Sequence, residues 1–121
     1  MTEASHRTVS EVLSLYNEAF RIHDPRLLAD LISDDCVIED TSPAPDGARH
    51  EGGRACLTRW SELARDTGLQ FSPEPADIVG DLAVAPWVLR WGPGEGDRVR
   101  GVNLIRIRDG RITEARGYLK A

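Results

Sequence analysis

The spacing of apolar residues changes at Gly68, and this change most limits the folds open to the chain. Before Gly68, apolar residues recur every three or four positions, which is typical of amphipathic helices. After Gly68, apolar and polar residues alternate in short runs separated by turn residues, which is typical of strands. Helices first and hairpin-connected strands afterwards predict an α+β fold, in which the helices cover one face of a mostly antiparallel sheet.

Three segments have the spacing of helices. The first covers residues 5–22, where Ser5 or Thr8 can cap the amino end. The second is short and begins at Pro25, because proline suits a first helical turn. The third covers about 53–66. Their apolar faces are formed by Val9, Val12, Leu13, Tyr16 and Phe20 in the first, by Leu27, Leu28, Leu31 and Ile32 in the second, and by Cys56, Leu57, Trp60, Leu63 and Ala64 in the third.

Six segments are predicted to be strands. Residues 42–52, rich in proline, glycine and aspartate, are predicted to form a loop. A second loop at 92–97 and the dipeptide Asp109-Gly110 predict two hairpins near the carboxyl end. Pro86 indicates an edge or a bulge in its strand. The predicted strands are 36–41, 69–74, 76–80, 82–91, 98–108 and 111–119.

Composition and charge exclude several classes of protein. A chain of 121 residues has the length of one domain. Its 20 acidic and 15 basic residues give a net charge of −5, which disfavours nucleic acid as a partner. No apolar run approaches the roughly 18 residues of a membrane helix. Because the N-terminal residues lack an apolar signal core, we expect a cytoplasmic protein without a membrane partner.

Neither a disulfide nor a metal site is indicated. Cys36 and Cys56 lie in the apolar patterns of different segments, and we interpret them as buried, reduced thiols. The three histidines, His6, His23 and His50, are far apart in the sequence. No Cys/His group has metal-ligand spacing, and no glycine-rich phosphate loop is present. We therefore expect no metal and no other cofactor.

Periodicity directs three polar side chains toward the predicted interior. Because residues alternate across a strand, Asn103 shares the inward face of 98–108 with apolar residues, and Asp40 shares a face with Ile38. Tyr16 lies within the apolar stripe of the first helix. Each of them alone would fit a structural hydrogen-bond network, since buried polar groups need partners. Three such groups from separate elements favour a pocket that carries chemistry.

Four motifs resemble the nuclear transport factor 2 superfamily, which has a cone-shaped α+β fold. They are LYNEAF at 15–20, LLADLISDDCVIED at 27–40, GGRACLTRW at 52–60 and GVNLIRIRDGRITEARGYL at 101–119. Together they cover most of the chain. Within the superfamily, the sequence is most similar to ketosteroid isomerases and SnoaL-like polyketide cyclases. The resemblance implies a curved sheet that encloses a pocket together with the helices.

The resemblance also implies a set of site residues. Ketosteroid isomerases carry a tyrosine on the first helix, an aspartate in a Val-Glu-Asp-Pro motif and a second aspartate in the penultimate long strand. In this chain these positions fall on Tyr16, Asp40 and Asn103. Asn103 stands where those isomerases have an acid, but an amide is also a hydrogen-bond donor. The late His/Asp pair of polyketide cyclases and the Arg–Asp pair of limonene-epoxide hydrolases find no match in the sequence.

These residues imply proton transfer without a cofactor. Asp40, in an apolar pocket, would remove a proton next to a carbonyl, and Tyr16 and Asn103 would donate hydrogen bonds to the enolate oxygen. This predicts an isomerase or a cyclase for a small hydrophobic carbonyl compound. His50 is expected in the loop near the pocket mouth, as a further ligand contact. The predicted pocket walls are Phe20, Trp60, Trp87, Leu89, Ile105 and Leu119.

Other functions remain open at this point. The same pocket could bind a small molecule without turnover, or an exposed sheet face could bind another protein. A relative of limonene-epoxide hydrolases is a further alternative. Since families with this fold commonly associate through the outer face of the sheet, the resemblance implies a homodimer. Fold alone does not decide among these functions.

Overall fold

The structure, a computed structural model, describes residues 6–120. It contains two α-helices, one short 3-10 helix and seven strands. The helices are α1 (Val9–Arg21), the 3-10 helix (Pro25–Leu28) and α2 (Gly53–Arg65). The strands are β1 (Ile32–Glu39), β2 (Arg49–Glu51), β3 (Gln70–Pro73), β4 (Asp77–Val79), β5 (Leu82–Arg90), β6 (Arg98–Arg108) and β7 (Arg111–Leu119).

All seven strands belong to one sheet. Its order is β2-β1-β7-β6-β5-β3, and β4 pairs with β5 as well. Every pair is antiparallel except β1 and β7, which run parallel. The three long strands β5, β6 and β7 form a meander at the centre of the sheet, as the hairpin signals predicted. The predicted α+β class is therefore confirmed.

Helix α1 begins where the sequence predicts a cap. The side chain of Thr8 accepts a hydrogen bond from the backbone of Glu11, and the carboxylate of Glu11 accepts one from the backbone of Thr8. This capping box satisfies two amide groups that a helix start leaves unpaired. Ser5, the alternative cap, lies outside the described residues. The apolar face of α1 is buried, with Val12 and Ala19 fully covered.

Several predicted elements differ from the structure, mainly in the first half of the chain. The second helix is only a 3-10 helix of four residues, because the chain turns almost at once into β1. Strand β1 begins at Ile32 instead of 36, since Ile32 pairs with Ile112 of β7 before the register shifts near Val37. Residues 33–35 are all polar and show no alternation, so the sequence pattern did not predict this part of the strand. The predicted 42–52 loop contains β2, which pairs with the end of β1.

The core lies between the helices and the inner face of the sheet. On β6 the inward residues Ile105 and Ile107 are buried, as alternation predicted. On the outer face Arg106 and Arg108 both form ion pairs with Asp81, at 2.6 and 2.9 Å. The arginine side of β6 is therefore the outer surface of the sheet. None of the described helices has the length and apolar character that crossing a membrane requires.

Candidate active site

A cavity of about 260 Å³ lies between the two α-helices and the inner face of the sheet. Its lining is mainly apolar, with polar groups at separate positions along the wall. The lining residues are Tyr16, Phe20, His23, Ile38, Glu39, Asp40, Thr41, Ser42, Arg59, Trp60, Leu63, Leu69, Phe71, Trp87, Leu89, Asn103, Ala115 and Gly117. All three polar residues that periodicity directed inward therefore meet at one cavity.

Tyr16 and Asn103 form a hydrogen-bonded pair in the cavity wall. The Asn103 amide donates from Nδ2 to the Tyr16 hydroxyl oxygen across 3.1 Å. Tyr16 is only 4% exposed. Burial raises the pKa of Tyr16 well above its usual range, and the hydrogen bond from Asn103 offsets part of that rise. The phenol therefore stays protonated at any physiological pH and can donate a hydrogen bond to a ligand.

Asp40 directly follows β1, and an arginine and a histidine form hydrogen bonds with its carboxylate. Its Oδ2 accepts hydrogen bonds from His50 Nε2 at 2.9 Å and from Arg59 Nε at 3.0 Å. Its side chain is 11% exposed. Among the described residues, none donates a hydrogen bond to Oδ1, which is not fully buried. Oδ1 is therefore the carboxylate oxygen of Asp40 that is left without a hydrogen bond to the described residues.

The surroundings of Asp40 differ from the expectation. The sequence predicted an acid in an apolar pocket, whereas the structure places an Arg–Asp ion pair at the cavity, a pair that sequence reasoning did not find. His50 also forms a His/Asp pair with Asp40, but from β2 and not from late in the chain. Asp40 therefore lies in a polar corner of an otherwise apolar cavity.

The loop after Asp40 folds back onto it, and Gly47 makes this approach possible. The backbone N–H of Asp40 donates to the carbonyl oxygen of Ala48 at 2.8 Å. Gly47 has a positive φ of 79°, and a Cβ there would stand 1.8 Å from the Asp40 carbonyl oxygen. A side chain at this position would push the loop away from Asp40. The backbone position of Asp40 therefore requires a glycine at residue 47.

Aromatic rings form one wall of the cavity. Tyr16 makes edge contacts with Phe20 and Trp60, with centroids 4.9 and 5.0 Å apart. Phe71 of β3 continues the wall, 5.6 Å from the ring of Phe20. Edge-to-face packing of this kind adds stability beyond the burial of apolar area. It also fixes the Tyr16 ring, so the hydroxyl is directed by packing as well as by Asn103.

Four of the predicted wall residues line the cavity, and three predicted ligand contacts do not. Phe20, Trp60, Trp87 and Leu89 are lining residues. The other three take different places. Ile105 is fully buried in the core, Leu119 is 44% exposed near the end of β7, and His50 lies behind Asp40, beside a shallow groove on the outer surface.

Sequence reasoning missed several polar lining residues, among them Arg59 and His23. Arg59 lies on α2 three positions after Cys56 and one before Trp60, so it falls within the buried stripe of that helix. An arginine at such a position could have indicated a charged group that faces the cavity. His23 follows the end of α1, where the sequence indicated only a helix break. The described part of the chain has no cluster of three or more metal-binding side chains.

The two cysteines are buried free thiols, as predicted. Cys56 Sγ donates to the carbonyl oxygen of Cys36 at 3.3 Å. Burial is the main cause that raises the pKa of both thiols, and for Cys36 the nearby Cys56 adds to it. These groups join α2 to β1 behind the cavity and do not line it.

Comparison with known proteins agrees with this architecture. The family model of the SnoaL-like domain matches residues 12–115. None of the curated proteins matches the chain. Among solved structures, an NTF2-like protein of unknown function from Mesorhizobium loti is 43% identical, with a TM-score of 0.87, and covers 100% of this chain and 98% of that one.

More distant structures share the fold. A putative polyketide cyclase from Sinorhizobium meliloti is 24% identical with a TM-score of 0.72, over 92% of this chain and 99% of that one. A putative ketosteroid isomerase from Kribbella flavida is 17% identical with a TM-score of 0.77, over 93% of this chain and 78% of that one. The chain therefore belongs to the SnoaL-like domain family and has the NTF2-like fold, as the resemblance predicted.

Proposed function

We propose that the protein is a cofactor-free isomerase or cyclase that removes a proton next to a carbonyl group and stabilises the enolate that forms. The observation that carries the proposal is the joint placement of Asp40 and Tyr16 on one largely apolar cavity. One supplies a carboxylate oxygen without a hydrogen-bond partner among the described residues, and the other a phenol that stays protonated. Two structural neighbours, described as a putative polyketide cyclase and a putative ketosteroid isomerase, support it.

Asp40 acts as the general base in this proposal. Its Oδ1 takes the proton, the C–H bond breaks, and the electron pair moves toward the carbonyl oxygen. In an isomerisation, Asp40 returns the proton to a different carbon and becomes a carboxylate again. In a cyclisation, the carbanion attacks a second carbonyl carbon of the same molecule, the π bond of that carbonyl opens, and the alkoxide oxygen takes the proton from Asp40. A positioned base contributes about 100- to 10,000-fold to such a step.

Tyr16 stabilises the negative charge that develops on the carbonyl oxygen. Asn103 donates to the lone pair of its hydroxyl, so the hydroxyl proton is free for the ligand. Asn103 is therefore first a positioning residue, whereas the sequence predicted a direct donor to the enolate. A preorganised donor in a site that excludes water supplies about 3–4 kcal/mol of transition-state stabilisation.

Arg59 and His50 hold the base in its working orientation. Both donate to Oδ2, which leaves Oδ1 for the ligand. Arg59 reaches Asp40 from α2, and His50 reaches it from β2, so the carboxylate is fixed from two directions. The sequence predicted that apolar surroundings would make Asp40 reactive. We expect the two hydrogen bonds from Arg59 and His50 to determine its reactivity instead.

The proposal is tested with the unconjugated isomer of cyclohexenone, whose conversion to the conjugated ketone is read by ultraviolet absorbance. Wild-type protein is expected to accelerate this conversion over buffer, and Asp40→Asn to lose about 100-fold or more of the rate. Asp46→Asn is the matched control, because Asp46 is exposed and lies outside the cavity lining. Equal rates for Asp40→Asn and wild type would refute the role of the base.

Hydrolysis of an epoxide is a second candidate function, which the Asp40–Arg59 ion pair favours. Asp40 would take a proton from a water molecule whose oxygen attacks an epoxide carbon, the ring C–O bond at that carbon would break, and the alkoxide oxygen would take the proton back from Asp40. Hydrolases of this type use a second acid on the arginine, and among the described residues only Asp40 forms an ion pair with Arg59. Cyclohexene oxide separates the two functions, because it has no carbonyl. Formation of the diol above the buffer rate would favour hydrolysis over enolisation.

A further inference from the structure

His23 occupies a backbone position that normally belongs to glycine. It follows Ile22, the C-cap residue of α1, and has a positive φ of 59°. The N–H of Asp24 closes the helix end by donating to the carbonyl oxygen of Ala19 at 2.9 Å. In this type of helix end the residue with positive φ is usually glycine, because a side chain makes that conformation unfavourable. A histidine here therefore needs an explanation in its side chain.

The imidazole of His23 is fixed in one tautomer. Its Nδ1 lies 3.0 Å from the carbonyl oxygen of Ala64, near the end of α2. A carbonyl oxygen only accepts hydrogen bonds, so Nδ1 carries the proton in the neutral ring. Nε2 is then an acceptor, and it is neither fully buried nor bonded to any of the described residues. Since the residue lines the cavity, this acceptor is available to a ligand.

His23 lies about two helical turns beyond Tyr16. Seven positions of α1 and its cap separate the two residues, which corresponds to about 10 Å along a helix. Phe20 lies between them on the same helix, and Leu63 and Phe71 also line the cavity. The cavity wall thus carries a phenol donor at Tyr16 and an imidazole acceptor at His23, with apolar side chains in the lining.

From this arrangement we infer that the substrate is an elongated apolar ketone with a hydroxyl group at the end remote from its carbonyl, and that His23 Nε2 accepts the hydrogen bond of that hydroxyl. The placement of the carbonyl at Tyr16 rests on the proposed function; the role of His23 rests on its own geometry. His23 is in this view a specificity-determining residue that takes no part in the proton transfer.

A matched pair of ligands tests the inference, namely benzylacetone and its para-hydroxy derivative. They share the ketone and differ only in a hydroxyl at the opposite end. Binding is followed by the fluorescence of Trp60 and Trp87, which line the cavity. We expect wild-type protein to bind the hydroxylated ketone about 5-fold more tightly, the gain typical of one hydrogen bond.

The decisive variant is His23→Gly, because glycine suits the positive φ and keeps the fold. It is expected to bind the two ketones equally, because the hydroxyl loses its hydrogen-bond acceptor. His23→Asn, another residue that tolerates this backbone, should also lose the preference. A preference that persists in both variants, or is absent from wild type, or no binding of either ketone, would overturn the inference.

These outcomes are separate from those of the proposed function, because binding is measured without turnover. A wild-type protein that prefers the hydroxylated ketone but never removes a proton would refute the proposed enzyme and leave the role of His23 standing. Exchange of the α-hydrogens of both ketones in deuterated buffer, together with equal affinity for both, would refute the role of His23 alone.

Discussion

The amide of Asn103 donates a hydrogen bond to the hydroxyl of Tyr16 across 3.1 Å, although 87 positions separate them in the chain. The bond joins β6 to α1 and closes one side of the cavity. It leaves the phenol proton free and fixes the direction in which it points. The proposed stabilisation of an enolate depends on this geometry.

Removal of the phenol hydroxyl should affect catalysis far more than binding. Tyr16→Phe is expected to lower the turnover number about 100- to 1,000-fold, because a preorganised donor to the enolate is lost. The Michaelis constant for the unconjugated ketone should change little. Tyr118→Phe is the matched control, since Tyr118 is 46% exposed and does not line the cavity. A Tyr16→Phe enzyme with full turnover would contradict the role of the phenol.

Tyr16 should resist ionisation in the folded protein. Because burial raises the pKa of Tyr16, the ultraviolet titrations of folded wild type and of Tyr16→Phe should not differ near pH 10. The unfolded chain ionises at its ordinary pKa, so the free energy of unfolding should fall as pH rises above about 10. This alkaline loss should be smaller in Tyr16→Phe. A folded wild type that shows one more ionising phenol near pH 10 than folded Tyr16→Phe would contradict the buried phenol.

Gly47→Ala should disturb Asp40 through the backbone. The new Cβ meets the Asp40 carbonyl oxygen at 1.8 Å and also forces alanine into a positive φ. We expect a loss of about 2–5 kcal/mol in the free energy of unfolding, measured in urea, together with reduced activity. Gly80→Ala separates the two causes, because Gly80 has a positive φ of 61° with nothing within 4 Å. It should lose about 1–2 kcal/mol and keep its activity.

The buried thiols should be inert in the folded protein. Since burial raises the pKa of Cys36 and of Cys56, little thiolate forms at pH 8, and only the thiolate attacks disulfide reagents. We expect no reaction with a chromogenic disulfide in native buffer and reaction of both thiols in denaturant. Fast reaction of either native thiol would contradict the packing of α2 against β1.

The sequence predicted the sheet well where local signals agree. The predicted strand 98–108 coincides with β6, and the turn at Asp109-Gly110 joins it to β7 with positive φ at both turn residues. Alternation along this strand also placed Asn103 on the cavity side. Such features depend on neighbours in the chain, so the sequence alone determines them.

Contacts between distant segments were not predictable in the same way. Strand β2 consists of Arg49–Glu51, residues with no strand pattern, and it forms because it pairs with β1. The same pairing brings His50 to Asp40, and the position of α2 brings Arg59. These three side chains meet only once the sheet and the helix are in place, so periodicity within one segment could not reveal them.

Exchange of the α-hydrogens of benzylacetone in deuterated buffer, followed by nuclear magnetic resonance, tests the central claim most directly, because it isolates proton removal from any later step. The wild-type protein and Asp46→Asn are expected to exchange these hydrogens well above the buffer rate, and Asp40→Asn at least about 100-fold more slowly than wild type. Exchange by wild type at the buffer rate, or equal exchange by Asp40→Asn, would contradict proton abstraction by Asp40.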